Sequence, residues 1–228
     1  MNLPFDAAEF FAVFARYNGA VWPAQLLLLC TGVFAVALAI RPRSWSDRMV
    51  SAILAVLWIW MGAVYHIGFF RAINPAATLF GASFVLQGIA LIVAGVFSRQ
   101  LRFRFRPTLR GVVGALLLTY AFLAYPLLAY LLGHRYPATP TFGLPCPTTI
   151  FTLGLLLWTE QRVPTFLMVI PIAWSLVGTS AALQLGVQED LGLVVAGVLT
   201  GLLRFLPRTH ETAMVSRNNE AGVVNTHS

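Results

Sequence analysis

The sequence predicts an all-α fold, a polytopic membrane helix bundle with seven transmembrane helices. The 228-residue chain is 58% hydrophobic and only 10% charged, whereas soluble domains carry about 25% charged residues. Its apolar residues form seven stretches, most of them close to the roughly 20 residues that a helix needs to cross a membrane. Arginines are concentrated in alternate loops between these stretches. Length, composition and charge therefore predict one membrane domain with a defined orientation.

The predicted spans cover residues 19–40, 49–70, 75–98, 110–132, 147–160, 164–185 and 190–206. The fifth span reaches only about 21 Å at the α-helical rise, so we expect residues 134–147 to fold into the outer mouth of the bundle.

The predicted domains are an interfacial helix over 1–18, a transmembrane domain over 19–207 and a disordered cytoplasmic tail over 208–228. Asp6 and Glu9 have the spacing of a helix capping pair, and aromatic residues follow at helical spacing, which is typical of an interfacial helix. An early extension of the first span is the alternative. The tail is polar and lacks periodicity, as disordered segments do.

All 15 basic residues are arginine, and their distribution predicts orientation. Twelve lie in the loops 41–48 and 99–110, at Arg162 and at the end of the chain, and three lie on the other side. Basic loops stay in the cytoplasm, so we expect the N-terminus outside and the C-terminus inside a bacterial inner membrane. The net charge of +7 then reflects topology rather than nucleic-acid binding. The arginine loops are expected to attract anionic lipid.

Two similar segments indicate a parallel repeat of three helices, a linker helix and three more. Trp22-Pro23-Ala24-Gln25 opens the first span, and Cys146-Pro147-Thr148-Thr149 opens the fifth. Parallel repeats are a transporter architecture, with binding sites at the repeat interface. A chance match between apolar segments is the alternative.

The polar residues of the spans exclude several classes of protein. No Asp or Glu lies deep in a span, and the acidic turn Glu189-Asp190 falls on the outer side, which argues against a site built from paired carboxylates. The chain has no lysine for a retinal Schiff base. A single histidine in the spans cannot supply three zinc ligands. These exclusions favour a protein that is not an enzyme and leave a membrane enzyme open as the alternative, and we expect no cofactor.

The remaining polar groups gather in the outer half of the bundle and predict a binding site there, since polar residues inside membranes are costly. The predicted substrate-binding residues are Trp22, Gln25, His66, Gln87, Tyr125 and Thr149. His66 and Cys146 are also candidate ligands for a soft metal such as Cu(I). The alternatives are a histidine hydrogen-bonded between helices and a cysteine acting as a small buried hydrophobe. Helix starts at Pro23 and Pro147 favour an anionic or polar ligand.

Three hypotheses for function follow. The first is a transporter or permease for a small solute or ion, favoured by the kinked spans and the lack of a soluble catalytic domain. The second is a membrane-embedded redox or soft-metal protein that uses His66 and Cys146. The third is an interaction or sensory subunit without a site of its own.

Three segments carry a resemblance to a known family. They are the aromatic run from Phe10 to Asn18, Trp22-Pro23-Ala24-Gln25, and the segment from Phe142 to Thr149. With these segments the chain resembles a family of uncharacterised bacterial membrane proteins, a domain of unknown function that spans almost the whole chain. The resemblance implies a bacterial inner-membrane protein and supplies no activity.

Overall fold

The computed structural model describes residues 3–205, and the predicted tail over 208–228 lies outside this range. The described residues form eight helices, which confirms the all-α class. The helices are α1 (Ala7–Val21), α2 (Ala24–Ile40), α3 (Ser46–Ala72), α4 (Ala77–Phe97), α5 (Leu109–Leu131), α6 (Pro145–Leu157), α7 (Thr165–Leu185) and α8 (Leu191–Phe205).

Four of these helices, α3, α4, α5 and α7, are long and apolar enough to cross a membrane. The bent pair α1 and α2 together brings the number to five. Helix α6 has 13 residues, and α8 has 15 within the described range, so neither is counted by its described length among these candidate spans. By length and composition the described chain thus has four or five candidate spans, fewer than the seven predicted.

The predicted first span over 19–40 is broken near its start. Helix α1 continues to Val21, and α2 begins at Ala24 with an 87° change of direction. Pro23 lies at the junction, where its missing N–H cannot continue the hydrogen bonds of α1. The predicted cap of α1 is confirmed, since Asp6 accepts from the Glu9 N–H at 2.8 Å and Glu9 accepts from the Asp6 N–H at 3.1 Å.

Helix α6 is the centre of the bundle. Every residue of α6 except Cys146 is buried, and the helix packs against α5, α7 and α8. From α3, the Trp58 indole donates to the Thr152 hydroxyl at 3.1 Å. Helix α6 begins at Pro145, two residues before the predicted start, and ends at Leu157. Its first turn therefore reaches the end of the bundle where α1 lies.

Small residues bring neighbouring helices close together. A Cβ atom on Gly62 of α3 would lie 2.5 Å from the carbonyl oxygen of Gly81 on α4. On α8, a Cβ atom on Gly197 would overlap the Ser175 hydroxyl of α7. Small residues allow such approaches between helices in membrane bundles.

Within the described residues, three helices of the bundle contain π-helical stretches. Met61–Phe69 lies within α3, Ile92–Phe97 ends α4, and Tyr120–Ala124 lies within α5 immediately before Tyr125. The wider π turn is rare and often occurs at functional sites, because it rotates side chains out of the α-helical register. His66 lies in the first of these stretches.

The loops rich in arginine meet at the end of the bundle away from α1. Arg104 pairs with Asp47 at 2.6 Å, and Arg106 pairs with Glu160 at 2.5 Å. These contacts join the start of α3, the segment before α5 and the segment after α6. At the same end, Arg110 donates to the Leu203 carbonyl at 2.7 Å.

Candidate functional site

A cavity of about 120 Å³ lies under α1, near the first turn of α6. We call it the aromatic cavity. Its aromatic wall comes from α1, α3, α4 and α7. Its ionisable groups come from α3, α5, α6 and the turn before α8, and Asn74 and Ser180 add neutral polar side chains. The residues that define it are Phe10, Phe14, Tyr65, Phe70, Phe80 and Trp174, with the polar side chains of Tyr125, Cys146 and Asp190.

Asp190 is the only carboxylate among the described residues that line the aromatic cavity. Asp190 is only 4% exposed, and its carboxylate accepts a short hydrogen bond from the Tyr125 hydroxyl. The Cys146 thiol lies beside the same carboxylate. Burial raises the pKa of Asp190 to about 7, and the contacts with Tyr125 and Cys146 offset part of this rise. The group can therefore gain or lose a proton near neutral pH.

Glu189 forms a second buried acidic position next to Asp190. Its Oε1 lies 2.7 Å from Nδ1 of His134, and its Oε2 is buried without a hydrogen-bond partner. The Tyr120 hydroxyl donates to the backbone carbonyl of Glu189 at 2.7 Å. The imidazole of His134 is covered by the Phe11 ring, with the ring centres 4.4 Å apart. Tyr120 of α5 and His134 of the segment after α5 therefore contact the acidic turn directly, and α1 covers the His134 ring.

His66 lies directly behind the aromatic wall. It is fully buried, and neither ring nitrogen has a hydrogen-bond partner. The rings of Phe84, Trp174 and Tyr65 have centres 4.7, 5.1 and 5.2 Å from the imidazole centre. Trp174 and Tyr65 also line the cavity, so a change at His66 reaches the cavity through these two rings.

A second cavity of about 350 Å³ lies on the other side of the first turn of α6. We call it the outer groove. It is lined by Trp22, Gln25, Tyr125 and part of the segment 134–142. Tyr125 borders both cavities, so its ring and hydroxyl form part of the partition between them.

Asn18 of α1 anchors the outer segment that covers this groove. Its side-chain amide donates to the carbonyls of Pro137 and Thr139 at 2.7 and 2.8 Å. Gln25 donates to the Asn18 carbonyl at 2.8 Å, while its own side-chain carbonyl oxygen is buried without a partner. The segment between α5 and α6 thus folds over the mouth of the bundle.

The predicted site residues fall into separate places. Tyr125 and Cys146 line the aromatic cavity, with His66 behind its wall, whereas Trp22 and Gln25 lie in the outer groove. Thr149 and Gln87 line neither cavity. The structure therefore divides the predicted site residues among the aromatic cavity, the outer groove and the interior of the bundle.

Thr149 and Gln87 are fully buried inside the bundle. The Thr149 hydroxyl has no hydrogen-bond partner, and the Gln87 side chain donates to the Leu167 carbonyl at 2.9 Å. Leu167 lies four residues before Pro171, which has no N–H to offer that carbonyl. Gln87 therefore supplies the donor that the proline withholds, which is a structural role.

No group of three or more His, Cys, Asp and Glu side chains within 3–205 is arranged to hold a metal ion. Cys146 and Asp190 lie together at the cavity, while His66 lies on the far side of the rings. The chemistry that the cavity offers is therefore a carboxyl, a thiol and a phenol facing aromatic rings.

Sequence reasoning missed Asp190, Glu189 and His134. The acidic turn was predicted to lie on the outer side of the bundle and not deep in a span, and the argument against paired carboxylates depended on that position. The sequence feature that could have located these two acids is the short connection between two apolar segments. In the structure this connection has five residues, 186–190, and begins at Gly186 with φ of +73°. So short a turn keeps its side chains against the neighbouring helices rather than extending them into solvent.

These features define a helical protein with several helices apolar enough to span a membrane and a small cavity that combines aromatic and ionisable groups. The chain belongs to the DUF6064 family, a family of unknown function, whose family model matches residues 7–216. No curated protein and no solved structure matches the chain.

Proposed function

We propose that this protein is a membrane transporter for a small solute, and that the solute binds in the aromatic cavity. The observation that carries the proposal is the buried Asp190 carboxyl facing a wall of aromatic rings. Burying an ionised carboxyl costs free energy unless an opposite charge pairs with it. A solute or proton that enters and leaves the cavity is such a partner.

The lining of the cavity favours a small organic cation. Aromatic faces attract cations through their ring quadrupoles, and a carboxylate attracts the same charge. The sequence had favoured an anionic or polar ligand, but Asp190 in the wall and Glu189 beside it oppose an anion. A volume of about 120 Å³ suits an ion with only a few carbon atoms.

The proposed topology keeps seven crossing helices, α2 to α8, with α1 lying across the outer end. Contacts at the opposite end support it, because they join segments that this topology places on one side. The Arg104 N–H donates to the Trp158 carbonyl at 2.8 Å, and the Phe105 N–H donates to the Ala39 carbonyl at 3.2 Å. The arginines at that end favour the cytoplasm, so the aromatic cavity faces outward. The parallel repeat stays a prediction.

The soft-metal hypothesis for His66 and Cys146 also stays a prediction, and we rank it second. Both side chains contact the same indole ring, that of Trp174. The thiol and the imidazole are therefore near one another, with this ring against both. A two-ligand Cu(I) site needs both donors free to turn toward one ion. The carboxyl and the aromatic rings support the cation proposal without any rearrangement.

Uptake of radiolabelled tetramethylammonium into liposomes that contain the purified full-length protein tests the proposal. This ion keeps its charge at every pH and does not leak through lipid as a neutral amine does. We expect uptake above protein-free liposomes at pH 8. Asp190→Asn should lower it about tenfold, because an ionic contact worth roughly 1.5–3 kcal/mol is removed.

Glu160→Gln is the matched control, since it removes a carboxylate at the opposite end, from a surface ion pair with Arg106. We expect it to keep uptake within twofold, roughly the effect of a weak surface pair. Equal uptake by wild type and Asp190→Asn would contradict the proposed site. Binding of tetramethylammonium without uptake would contradict transport while leaving the site in place.

A further inference from the structure

A second polar cavity lies at the end opposite the aromatic cavity, between α5, α6, α7 and α8. It has a volume of about 260 Å³. Its described polar lining consists of Arg110, Arg162, Arg204 and Thr200. We call it the arginine cavity. The sequence predicted these arginines as topology signals in three separate places along the chain, and the fold brings them around one space.

Thr200 and Arg204 both present unsatisfied polar atoms in this region. Thr200 is 2% exposed, and its hydroxyl has no hydrogen-bond partner. Arg204 donates from Nη2 to the Thr165 hydroxyl at 2.5 Å, whereas its Nη1 is buried without a partner. A buried polar atom without a partner costs roughly 1–3 kcal/mol. A ligand that accepts hydrogen bonds in the cavity would remove that cost.

The charge of the cavity selects the ligand. Its described lining holds three guanidinium groups and no carboxylate. Guanidinium groups match phosphate oxygens with paired hydrogen bonds, and a threonine hydroxyl adds a further donor.

We propose that the arginine cavity binds a phosphate-bearing anion. This site is separate from the proposed solute site and does not depend on it. The phosphate has two sources, the headgroup of an anionic phospholipid or free phosphate. Phe205, which also lines the cavity, is 84% exposed, so an acyl chain could lie against its ring when the headgroup is bound.

Two binding measurements on the full-length protein distinguish the sources. In the first, thermal unfolding is followed as inorganic phosphate replaces chloride at constant ionic strength. In the second, native mass spectrometry compares retention of phosphatidylglycerol with phosphatidylcholine. A phosphate-dependent rise in the unfolding temperature indicates free phosphate, and selective retention of phosphatidylglycerol indicates the lipid. If neither occurs, the proposal is wrong.

Arg162→Gln and Thr200→Val identify the site. Arg162 is exposed, and Val keeps the shape of Thr200 while removing only the unpartnered hydroxyl, so both variants should fold. We expect Arg162→Gln to weaken binding about tenfold and Thr200→Val by about fivefold, as loss of charged and neutral hydrogen bonds would. Arg102→Gln removes the same charge from an exposed position outside the cavity.

The control should change affinity by less than about twofold, because charge outside the cavity is screened by salt. Equal losses in Arg162→Gln and Arg102→Gln, with none in Thr200→Val, would show that only diffuse surface charge attracts the anion. That result would overturn the proposal.

Discussion

Asp190 and Glu189 illustrate how a side chain's chemistry depends on the length of the turn that carries it. Both acids are polar residues in a loop, which normally lie in water. Here the turn is short enough to hold them under α1 and against α5. Asp190 is bonded to a phenol rather than to an arginine, so its negative charge is only partly compensated.

This environment makes a prediction about stability and pH. The pKa of Asp190 is about 7 in the folded protein against 3.8 as its ordinary value. Between these values the folded state binds more protons than the unfolded state. The stabilising contribution of the protonated carboxyl is therefore fully present below pH 3.8 and is lost as the pH rises through about 7.

We expect the unfolding temperature of the detergent-purified protein to fall from pH 5 to pH 7.5, with a smaller fall in Asp190→Asn. Other ionisable groups face this carboxyl and stay in both proteins, so the difference between the two profiles isolates Asp190. These groups are Tyr65, Tyr120, Tyr125, Cys146 and Glu189. Glu160→Gln should follow the wild-type profile. Parallel profiles for wild type and Asp190→Asn would refute the assignment.

At the scale of a helix, α7 shows how this helical bundle accommodates an interior proline. Pro171 leaves the Leu167 carbonyl without its usual donor, and lipid offers no substitute. The donor comes from Gln87 on α4, at 2.9 Å. A polar residue of one helix thereby stabilises the proline site of another. The two bonded residues are 80 positions apart in the sequence.

We predict that Gln87→Met lowers the free energy of unfolding by about 1 kcal/mol, the usual size of an interhelical hydrogen bond in membranes. In a Pro171→Ala background the same change should cost less, because the alanine introduced there would supply the missing N–H. A double-mutant cycle on equilibrium unfolding measures this coupling.

Ser83→Ala is the control, since it removes a hydroxyl that bonds only within its own helix, α4. Its effect should be the same with Pro171 and with alanine at that position. If Gln87→Met lowers the free energy of unfolding by the same amount in the Pro171→Ala background, the Gln87 amide does not replace the missing donor to the Leu167 carbonyl.

The helices themselves were largely predictable from sequence, since hydrophobic length is a strong signal in membranes. The bend at Pro23 was not, because a proline in a first turn is also compatible with a straight helix start. The cavity was predictable only in part. Tyr125 and Cys146 could be found as polar residues near one depth, but the burial of Asp190 depends on how α1 folds back, which is set by tertiary contacts.

At the scale of the whole molecule, the two ends of the bundle differ in charge. One end carries the arginine loops and the arginine cavity, and the other carries the aromatic cavity with its two buried acids. The proposed topology, with seven crossing helices and the N-terminus outside, is consistent with this difference. The described helix lengths alone give four or five candidate spans, so α6 and α8 decide between the topologies.

Fusions of a periplasmic phosphatase test the topology. We expect activity for fusions after Asn74 and Gly133, at the end near the aromatic cavity, and none after Arg43 or Arg102. A fusion after Arg162 is the decisive one, because α6 must cross for this residue to return to the cytoplasm. Phosphatase activity there would show that α6 does not span.

Helix α6 has a further consequence for assembly in the membrane. With all but one residue buried, it has no face of its own to offer to lipid, and its 13 residues are too few to span about 30 Å of hydrocarbon alone. Its threonines Thr148, Thr149 and Thr152 are buried, and the Thr148 hydroxyl accepts from the Gly143 N–H of the preceding segment at 3.0 Å. In the proposed topology, we therefore expect α6 to be stable in the membrane only when α5, α7 and α8 surround it.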